Sequence, residues 1–324
     1  MFKTLLQGVL AVFMLHAASV HAQADDFPSR PMRLIVPFPT GGVLDTLART
    51  MAGELEKEFG QSVVVENRTG ASGNIGTEAL ARSRPDGYTI GMGTIATHGI
   101  NPALYREQLP YDPVNGFVPL AWLAEQMNVV VVTNNLPVNN IQELIEYGKK
   151  NPGRLAYGSA GNGSSQHLSG QLFKVKTGTD LLHVPYRGSV AALTDLVAGD
   201  VQVMFVDIPA ALPFIRSGKI RPIAVTGSSR SPVFPDLPTV QEQGVPDFTV
   251  RAWFGVFAPA GTPKEVADKL TEAILRRMQQ PEVKARLEGL GIDPKAEGQE
   301  VFAQFIKDEI ARWDEIVKIS GASL

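Results

Sequence analysis

The sequence predicts an α/β protein built from two lobes. Short runs rich in β-branched residues alternate with segments whose apolar residues recur at helical spacing, and this order starts twice along the chain. A helical tail without recognisable strands of its own follows the second unit. Strand–helix–strand order of this kind favours parallel strands joined by right-handed crossovers. No low-complexity linker separates the two units, so we expect them to share a cleft.

The first unit opens with the apolar run MRLIVPF, which is typical of a buried strand. Leu44, Leu47, Met51 and Leu55 then fall on one face of a helix, and Gly60 ends that pattern. Turn chemistry at Pro85-Asp86-Gly87 precedes another β-rich run. The predicted elements are strands at 32–38, 62–66 and 89–93 and helices at 44–59 and about 74–84.

The second unit repeats this alternation, beginning with the run NVVVVT at 128–133. Asn151-Pro152-Gly153 ends its first helix, and a glycine loop separates the next strand from the next helix. The predicted elements are strands at 128–133, 154–157, 181–186, 201–206 and 221–226 and helices at 141–150, 164–176, 190–198 and about 209–217.

After the second unit the sequence predicts one more strand, at 253–258, and then the helical tail, with helices at about 264–280, 281–290 and 300–320. Helices with no strands of their own must pack on an existing sheet, and we expect the first unit to provide it. We therefore predict a discontinuous lobe 1 from residues 25–127 and 250–324, and a lobe 2 from residues 128–249.

Residues 1–24 are predicted to be a secretory signal peptide. Lys3 is the only charged residue before Asp25, and an apolar stretch separates it from small residues at Ala22 and Ala24, near which we expect cleavage. The alternative is an uncleaved membrane anchor, but the apolar stretch is too short to cross a bilayer of about 30 Å. The mature chain is expected in the periplasm.

Composition excludes several classes of protein. The 324 residues include 30 Lys and Arg against 33 Asp and Glu, for a formal net charge of −3, and no cysteine. Nucleic-acid binding needs clustered basic residues, which this balance does not favour. The absence of cysteine excludes disulfide scaffolds, thiolate metal sites and thiol nucleophiles.

Glycine and hydroxyl residues follow several predicted strands. They occur at 39–42, 70–73, 93–98 and 158–165. Glycine lets a backbone approach a ligand closely, and the first amides of a helix carry partial positive charge. Such loops can bind an anion without a basic side chain. The alternative is that they are ordinary turns with helix caps. A nucleotide site is not favoured, because neither G-x-x-x-x-G-K-[ST] nor G-x-G-x-x-G is present.

Catalytic and metal-binding patterns are sparse. His98 and His167 lie in or just after strand-end loops and either face a ligand or pack locally, whereas His183 is expected within a sheet. Asp45 either complements a helix dipole or accepts from a ligand, and Asp207 either accepts from a ligand or caps a helix. No G-x-S-x-G motif and no metal-ligand spacing occurs. We predict no catalytic residue, no metal and no cofactor.

Several motifs resemble the Bug (TctC-like) solute-binding proteins of tripartite tricarboxylate transporters. The resemblance extends from about residue 27 to the C-terminal helices, and in this order the motifs are highly specific. They are VPFPTGG at 36–42, GNIG at 73–76, PDGYT at 85–89, NP at 101–102, LPYDP at 109–113, YGS at 157–159 with HL at 167–168, VPYRG at 184–188, LPTV at 237–240 and APAGTP at 258–263.

The resemblance implies a type II periplasmic-binding-protein fold, in which two crossover segments join the lobes and the cleft closes over a small carboxylate. It also implies that backbone amides, hydroxyls and bridging waters hold the ligand. Thr40 departs from the Pro or Ala of many relatives and adds a hydroxyl to the first turn. The predicted ligand-binding residues are Phe38, Pro39, Thr40, Gly41, Gly42, Asp45, Ala71, Ser72, Gly73, Thr94, Thr97, His98, Ser159, Gly161, Gly163, Ser164, His167 and Asp207.

The function that this resemblance implies is capture of a small organic carboxylate. The ligand class is a di- or tricarboxylate, an acidic amino acid or an aromatic acid, delivered to an inner-membrane tripartite tricarboxylate-type permease. We expect a monomer that does not bind nucleic acid. One alternative is a sensor component that presents its ligand to a kinase ectodomain. Another is a secreted hydrolase or isomerase with His98 or His167 as general base.

Overall fold

The computed structural model describes residues 27–320, so the predicted signal peptide lies outside the described residues. The strands are β1 (Met32–Val36), β2 (Val63–Asn67), β3 (Thr89–Thr94), β4 (Phe117–Thr133), β5 (Ala156–Ser159), β6 (Leu182–Pro185), β7 (Val203–Asp207), β8 (Ile220–Val225), β9 (Arg251–Pro259) and β10 (Asp293–Glu297).

The α-helices of the described residues are α1 (Val43–Phe59), α2 (Asn74–Ala81), α3 (Asn101–Tyr105), α4 (Ile141–Lys150), α5 (Ser165–Thr177), α6 (Ser189–Ala198), α7 (Ile208–Arg216), α8 (Lys264–Met278), α9 (Pro281–Gly289) and α10 (Gln299–Ser320). Short 3₁₀ turns at Ala71–Gly73 and Arg106–Gln108 and a π-helical turn at Ala96–Ile100 complete them. None of these helices is long and apolar enough to cross a membrane.

The strands form one sheet in the order β2-β1-β3-β9-β4-β7-β5-β6. Strand β1 runs parallel to both β2 and β3, and β5 runs parallel to both β6 and β7, as the strand–helix alternation predicts. Strands β9 and β4 join these two parallel groups through antiparallel pairing. The parallel groups form the cores of lobe 1 and lobe 2.

Strand β4 carries the chain from lobe 1 into lobe 2. Its first part, residues 117–127, pairs with β9, and its second part pairs with β7 from Asn128 onward. The chain returns at the start of β9. The two crossings are tied together by Thr226, whose Oγ1 accepts from the amide of Asn128 at 2.9 Å and donates to the carbonyl of Val250 at 2.7 Å.

Two parts of the sheet differ from the sequence prediction. The strand predicted at 128–133 begins at Phe117, because pairing with β9 extends through a stretch that contains Pro119 and two polar residues. The tail does contain a strand, so the prediction of a strandless tail was wrong. Strand β10 has the polar sequence DPKAE, and its antiparallel pairing with β4 is accompanied by tertiary ion pairs, Lys295–Glu125 and Arg251–Asp293.

The helical tail packs mainly against lobe 1, and α10 also contacts α5 of lobe 2. Helix α8 lies against α1, and α10 lies against β4, α3 and the π-helical turn. Trp253 and Trp313 are fully buried, and both indole nitrogens donate to Glu309. One hydrophobic cluster extends from lobe 1 to Phe173 and Phe205 on one face of the lobe 2 sheet, whereas a second cluster covers its other face.

This topology places two sets of strand ends opposite each other. In each lobe the carboxyl ends of three parallel strands lie at one edge of the sheet, and the loops after β2 and β5 meet across the lobes at Ser72 and Asn162. In open α/β sheets, ligands bind outside the carboxyl ends of the strands. The cleft between the two sets of loops is therefore the candidate site.

Candidate functional site

The first turn of lobe 1 connects β1 to α1 and is exposed from Pro39 to Gly42. Gly41 has a φ of +82°, a left-handed conformation that favours glycine. Gly42 caps α1 with extended backbone and without a side-chain hydrogen bond, so the first amides of the helix keep no side-chain partner. The side-chain amide of Asn67 donates to the carbonyl of Phe38 at 3.0 Å and fixes the start of the turn.

Asp45 is buried beneath this turn and holds its shape. Its carboxylate accepts from the Gly41 amide, from Arg49 Nε and from Asn67 Nδ2, each at 3.0 Å. Burial raises the pKa of Asp45, but the hydrogen bonds from Arg49, Gly41 and Asn67 outweigh it and keep that pKa below its ordinary value. The structure thus places Asp45 behind the turn as a positioning residue.

The second turn of lobe 1, at 70–73, has four consecutive residues in left-handed backbone. The φ angles are 126°, 46°, 54° and 90° for Gly70, Ala71, Ser72 and Gly73. Left-handed backbone is unfavourable for Ala and Ser and persists only where surrounding structure imposes it. Asn101 supplies such a contact, because its Nδ2 donates to the carbonyl of Ser72 at 3.0 Å.

This strained turn touches lobe 2. Ser72 Oγ donates to the carbonyl of Asn162 at 3.0 Å, across 90 residues of sequence. The neighbouring Gly163 has a φ of +76°, and a Cβ placed there would lie 3.1 Å from Asn101 Oδ1. The structure therefore brings two of the predicted loops, from opposite lobes, into direct contact.

The third set of predicted residues in lobe 1 does not reach the cleft surface. Thr94, Thr97 and His98 are all buried. Thr94 Oγ1 accepts from the Ala96 amide, and Thr97 Oγ1 is 2.8 Å from His98 Nδ1, so the hydroxyls shape the turn after β3. His98 stacks on Phe257 with ring centroids 4.0 Å apart, and burial lowers its pKa to about 3. A ring enclosed in this way packs in the lobe 1 core.

The glycine loop of lobe 2 uses its hydroxyls to fix its own shape. Ser159 Oγ accepts from the Gly161 amide at 3.1 Å and lies 2.7 Å from His183 Nε2. Ser164 is the N-cap of α5, accepting from the His167 amide at 3.2 Å, and its hydroxyl donates to the Gly161 carbonyl at 2.7 Å. The helix therefore begins at a rigid loop that contacts the other lobe.

His167 supports this loop from behind. Its Nδ1 accepts from the Gly163 amide at 3.2 Å, and its ring stacks on His183 with centroids 4.2 Å apart. Burial, with a smaller effect from His183, lowers the pKa of His167 to about 3. The unprotonated ring is the form that can accept from Gly163. The structure places His167 as a positioning residue of the loop.

Asp207 ends β7 at the lobe boundary and is partly exposed. Its Oδ1 accepts from Ser189 Oγ and from Gln166 Nε2, each at 2.6 Å. Gln166 Oε1 in turn accepts from the Ala160 amide at 3.0 Å. Burial raises the pKa of Asp207, while the hydrogen bonds from Ser189 and Gln166 act in the opposite direction.

Sequence reasoning missed several polar residues of this region. Gln166 and Ser189 each lie in the first turn of a helix that follows a strand-end loop, a position that would have been a usable signal. Other polar residues that the sequence reasoning missed are buried, and each has a side-chain atom with no hydrogen-bond partner among the described residues. These are Asn74 Nδ2, Asn101 Oδ1, Gln126 Oε1 and Asn128 Oδ1. Buried polar atoms of this kind normally have a partner, which makes them candidates for contact with water or ligand.

The arrangement suits an anion better than a metal. The helices α1 and α5 both begin at cleft loops, and the first amides of a helix have no intrahelical partner. Within residues 27–320, no group of His, Asp and Glu residues is placed to hold a metal ion. The chemistry available is hydrogen bonding from backbone amides and hydroxyls, aided by helix dipoles.

Comparison with known proteins gives a consistent match. The family model described as "Tripartite tricarboxylate transporter family receptor" matches residues 47–322. The protein BugT of Bordetella pertussis is 36% identical over 325 residues, which cover 100% of both chains.

Solved structures of the same kind superpose over almost the whole described chain. Rpa4515 of R. palustris with adipate has a TM-score of 0.87 at 39% identity, covering 92% of this chain and 100% of that one. The periplasmic binding protein BugD has a TM-score of 0.83 at 36% identity, and the match covers 92% of this chain and 99% of that one. MatC (Rpa3494) of Rhodopseudomonas palustris with bound malate has a TM-score of 0.81 at 37% identity, and the match covers 90% of this chain and 100% of that one.

Proposed function

The chain belongs to the tripartite tricarboxylate transporter receptor family of periplasmic solute-binding proteins, and on this premise we propose that it captures a small organic carboxylate in its cleft and delivers it to an inner-membrane permease. The family resemblance of the sequence motifs and the type II periplasmic-binding-protein fold are both confirmed. Adipate and malate are bound in two similar structures, which supports a small carboxylate here.

One observation carries the proposal: the strand-end loops of the two lobes meet at Ser72 and Asn162. A ligand enclosed between these loops contacts both lobes at once, which is how binding favours the closed conformation. We propose that the lobes comprise residues 25–127 with 250–324 and residues 128–249, and the change of partner of β4 at Asn128 supports this division.

We propose that backbone amides and hydroxyls hold the carboxylate, with no cationic side chain. The proposed contacts are the turn from Phe38 to Gly42, the backbone amide of Ser72, and the start of α5 near Ser164. Arg187, on the loop before α6, is exposed and has no ion pair with any described residue, so it is the cation that most directly challenges this idea. Hydrogen bonds to a charged group contribute about 1.5–3 kcal/mol each, so a few amides suffice.

The test is a binding screen on protein freed of ligand by denaturation and refolding. Thermal shift with mono-, di- and tricarboxylates, acidic amino acids and aromatic acids should give a rise in melting temperature with at least one acid. Calorimetry with that acid should then give an affinity that Arg187→Ala changes by less than about twofold. No shift with any acid would contradict the proposal, and a large loss with Arg187→Ala would contradict the cation-free site.

The two alternative functions, an enzyme and a sensor component, can each be distinguished from transport by experiment. The hydrolase or isomerase hypothesis needs a general base. His98 is enclosed in the core, and His167 Nδ1 already accepts a hydrogen bond from the Gly163 amide, so neither ring is placed for that role. It would be supported only if a bound acid were converted to a product. The sensor hypothesis shares the cleft, and deleting the permease while following ligand-dependent transcription would distinguish it from transport.

A further inference from the structure

Asp207 borders the cleft at the boundary between the lobes. In the register of β7 and β4 it lies opposite Asn128, the residue at which β4 leaves the lobe 1 part of the sheet. The residue is partly exposed although its carboxyl group is buried, and it occupies the carboxyl end of a strand, where ligands of open α/β sheets bind. This position lies in the region that we propose for the ligand.

The carboxyl group is held by neutral donors from the two adjoining strand ends. Ser189 begins the helix after β6, and Gln166 lies in the first turn of the helix after β5. Both donate to the same oxygen, Oδ1, at 2.6 Å. Two neutral donors on one oxygen fix the orientation of the carboxyl group and act against the burial that disfavours its charged form.

The described residues place no cation beside this carboxyl group. In the described part of the chain, Asp207 takes part in no salt bridge, and its other electrostatic partners are backbone amides. Like charges a few ångströms apart repel strongly in a partly buried site, whereas an N–H or O–H group is attracted to a carboxylate. A second carboxylate of a ligand is therefore disfavoured beside Asp207.

We propose that Asp207 selects acids whose carbon chain carries a hydrogen-bond donor, a hydroxyl or an ammonium group, in addition to the carboxylate. This inference rests on the proposed function, because it assumes that an acid occupies the cleft. The ligand carboxylate binds the amides and hydroxyls of the loops, and its donor binds Asp207. A site built to pair with a donor rejects the analogue that lacks it.

The experiment compares matched acids by calorimetry on ligand-free protein. The sets are propionate, lactate and alanine; succinate, malate and aspartate; glutarate, 2-hydroxyglutarate and glutamate; and benzoate, 2-hydroxybenzoate and 2-aminobenzoate. In the set that binds, we expect a donor-bearing acid to bind about ten- to a hundredfold more tightly than the unsubstituted one. Asp207→Asn should reduce that preference to less than about threefold.

The control is Asp200→Asn, an equal change of charge on an exposed residue that precedes β7 at the opposite end of that strand. It should leave the preference unchanged. Equal binding of the unsubstituted acid, or a preference that survives Asp207→Asn, would overturn this inference while the proposed function stands. Binding of no acid at all would overturn both. If Asp207→Asn does not fold, the inference is tested by the unaltered protein, which should bind the donor-bearing acid more tightly than the unsubstituted acid of the same set.

Discussion

The hydroxyl of Ser72 in lobe 1 donates a hydrogen bond of 3.0 Å to the carbonyl oxygen of Asn162 in lobe 2. Ser72 has left-handed backbone, and Asn101 holds its carbonyl from the other side. Strain of this kind collects where surrounding structure imposes a functional geometry. The strained turn thus carries a direct contact between the lobes, next to the loops that we assign to the ligand.

Replacing Ser72 by Ala should weaken binding of the acid identified in the screen. The change removes one neutral hydrogen bond, worth about 0.5–1.5 kcal/mol, from the closed conformation, so affinity should fall about two- to tenfold. Isothermal calorimetry measures this. Ser83→Ala is the control, because Ser83 Oγ bonds only to the Ala79 carbonyl within lobe 1. Equal effects of the two variants would show that the contact does not stabilise closure.

Gly163 and Gly178 form a matched pair. Both have left-handed backbone, so Ala at either site should destabilise the protein by about 1–2 kcal/mol. Only at Gly163 would the new Cβ meet the other lobe, 3.1 Å from Asn101 Oδ1, whereas Gly178 has open space. Gly163→Ala alone should lower affinity, measured by calorimetry beside urea unfolding. Equal affinities of the two variants would contradict a close approach of the lobes at Gly163.

Asp45 should act on binding through the turn that it supports. Asp45→Ala leaves the Gly41 amide without its acceptor and removes one of the two acceptors of Asn67 Nδ2, so the free energy of unfolding should fall by about 1–3 kcal/mol. Asp268→Ala, which removes an exposed ion pair with Lys264, should cost less than about 1 kcal/mol. Urea denaturation measures both. A loss of affinity at Asp45 without a loss of stability would instead indicate direct ligand contact.

His98 should make stability depend on pH. Its pKa is about 3 in the folded chain against 6.5 ordinarily, because the ring is buried. Below pH 6.5 the unfolded chain takes up a proton that the folded chain does not, so stability falls as pH drops from 6.5 toward 3. The contribution is up to about 1.4 kcal/mol per pH unit. His167, whose pKa is also lowered to about 3, contributes a slope of its own. His98→Asn should therefore reduce the slope in urea unfolding at pH 4–7 without abolishing it; parallel curves for both proteins would contradict it.

Most of the fold follows from local patterns in the sequence. The helix α4 agrees with its predicted bounds, and the parallel groups around β1 and β5 follow from the strand–helix order. The first part of β4 and the whole of β10 escaped prediction, because their pairing depends on partners far away in sequence. Strand β10 contains Pro294 and charged residues, which local propensity assigns to loops.

The sequence predicts which loops form the candidate site better than it predicts which side chains in those loops face the cleft. Glycine and hydroxyl residues at strand ends identify loops such as the one that contains Ser72. Sequence does not show which polar side chains turn inward, as His98 does, or which hold a loop from behind, as Asp45 and His167 do. Those roles depend on packing between elements that are distant in sequence.

The central claim is that amides and hydroxyls of the cleft loops hold a carboxylate without a cationic side chain. A crystal structure with the acid identified in the screen tests it most directly. We expect the carboxylate within hydrogen-bonding distance of amides or hydroxyls in the turn from Phe38 to Gly42 and near Ser164, with no Lys or Arg nitrogen within about 4 Å. A carboxylate paired with Arg187, or bound outside the cleft, would contradict the claim.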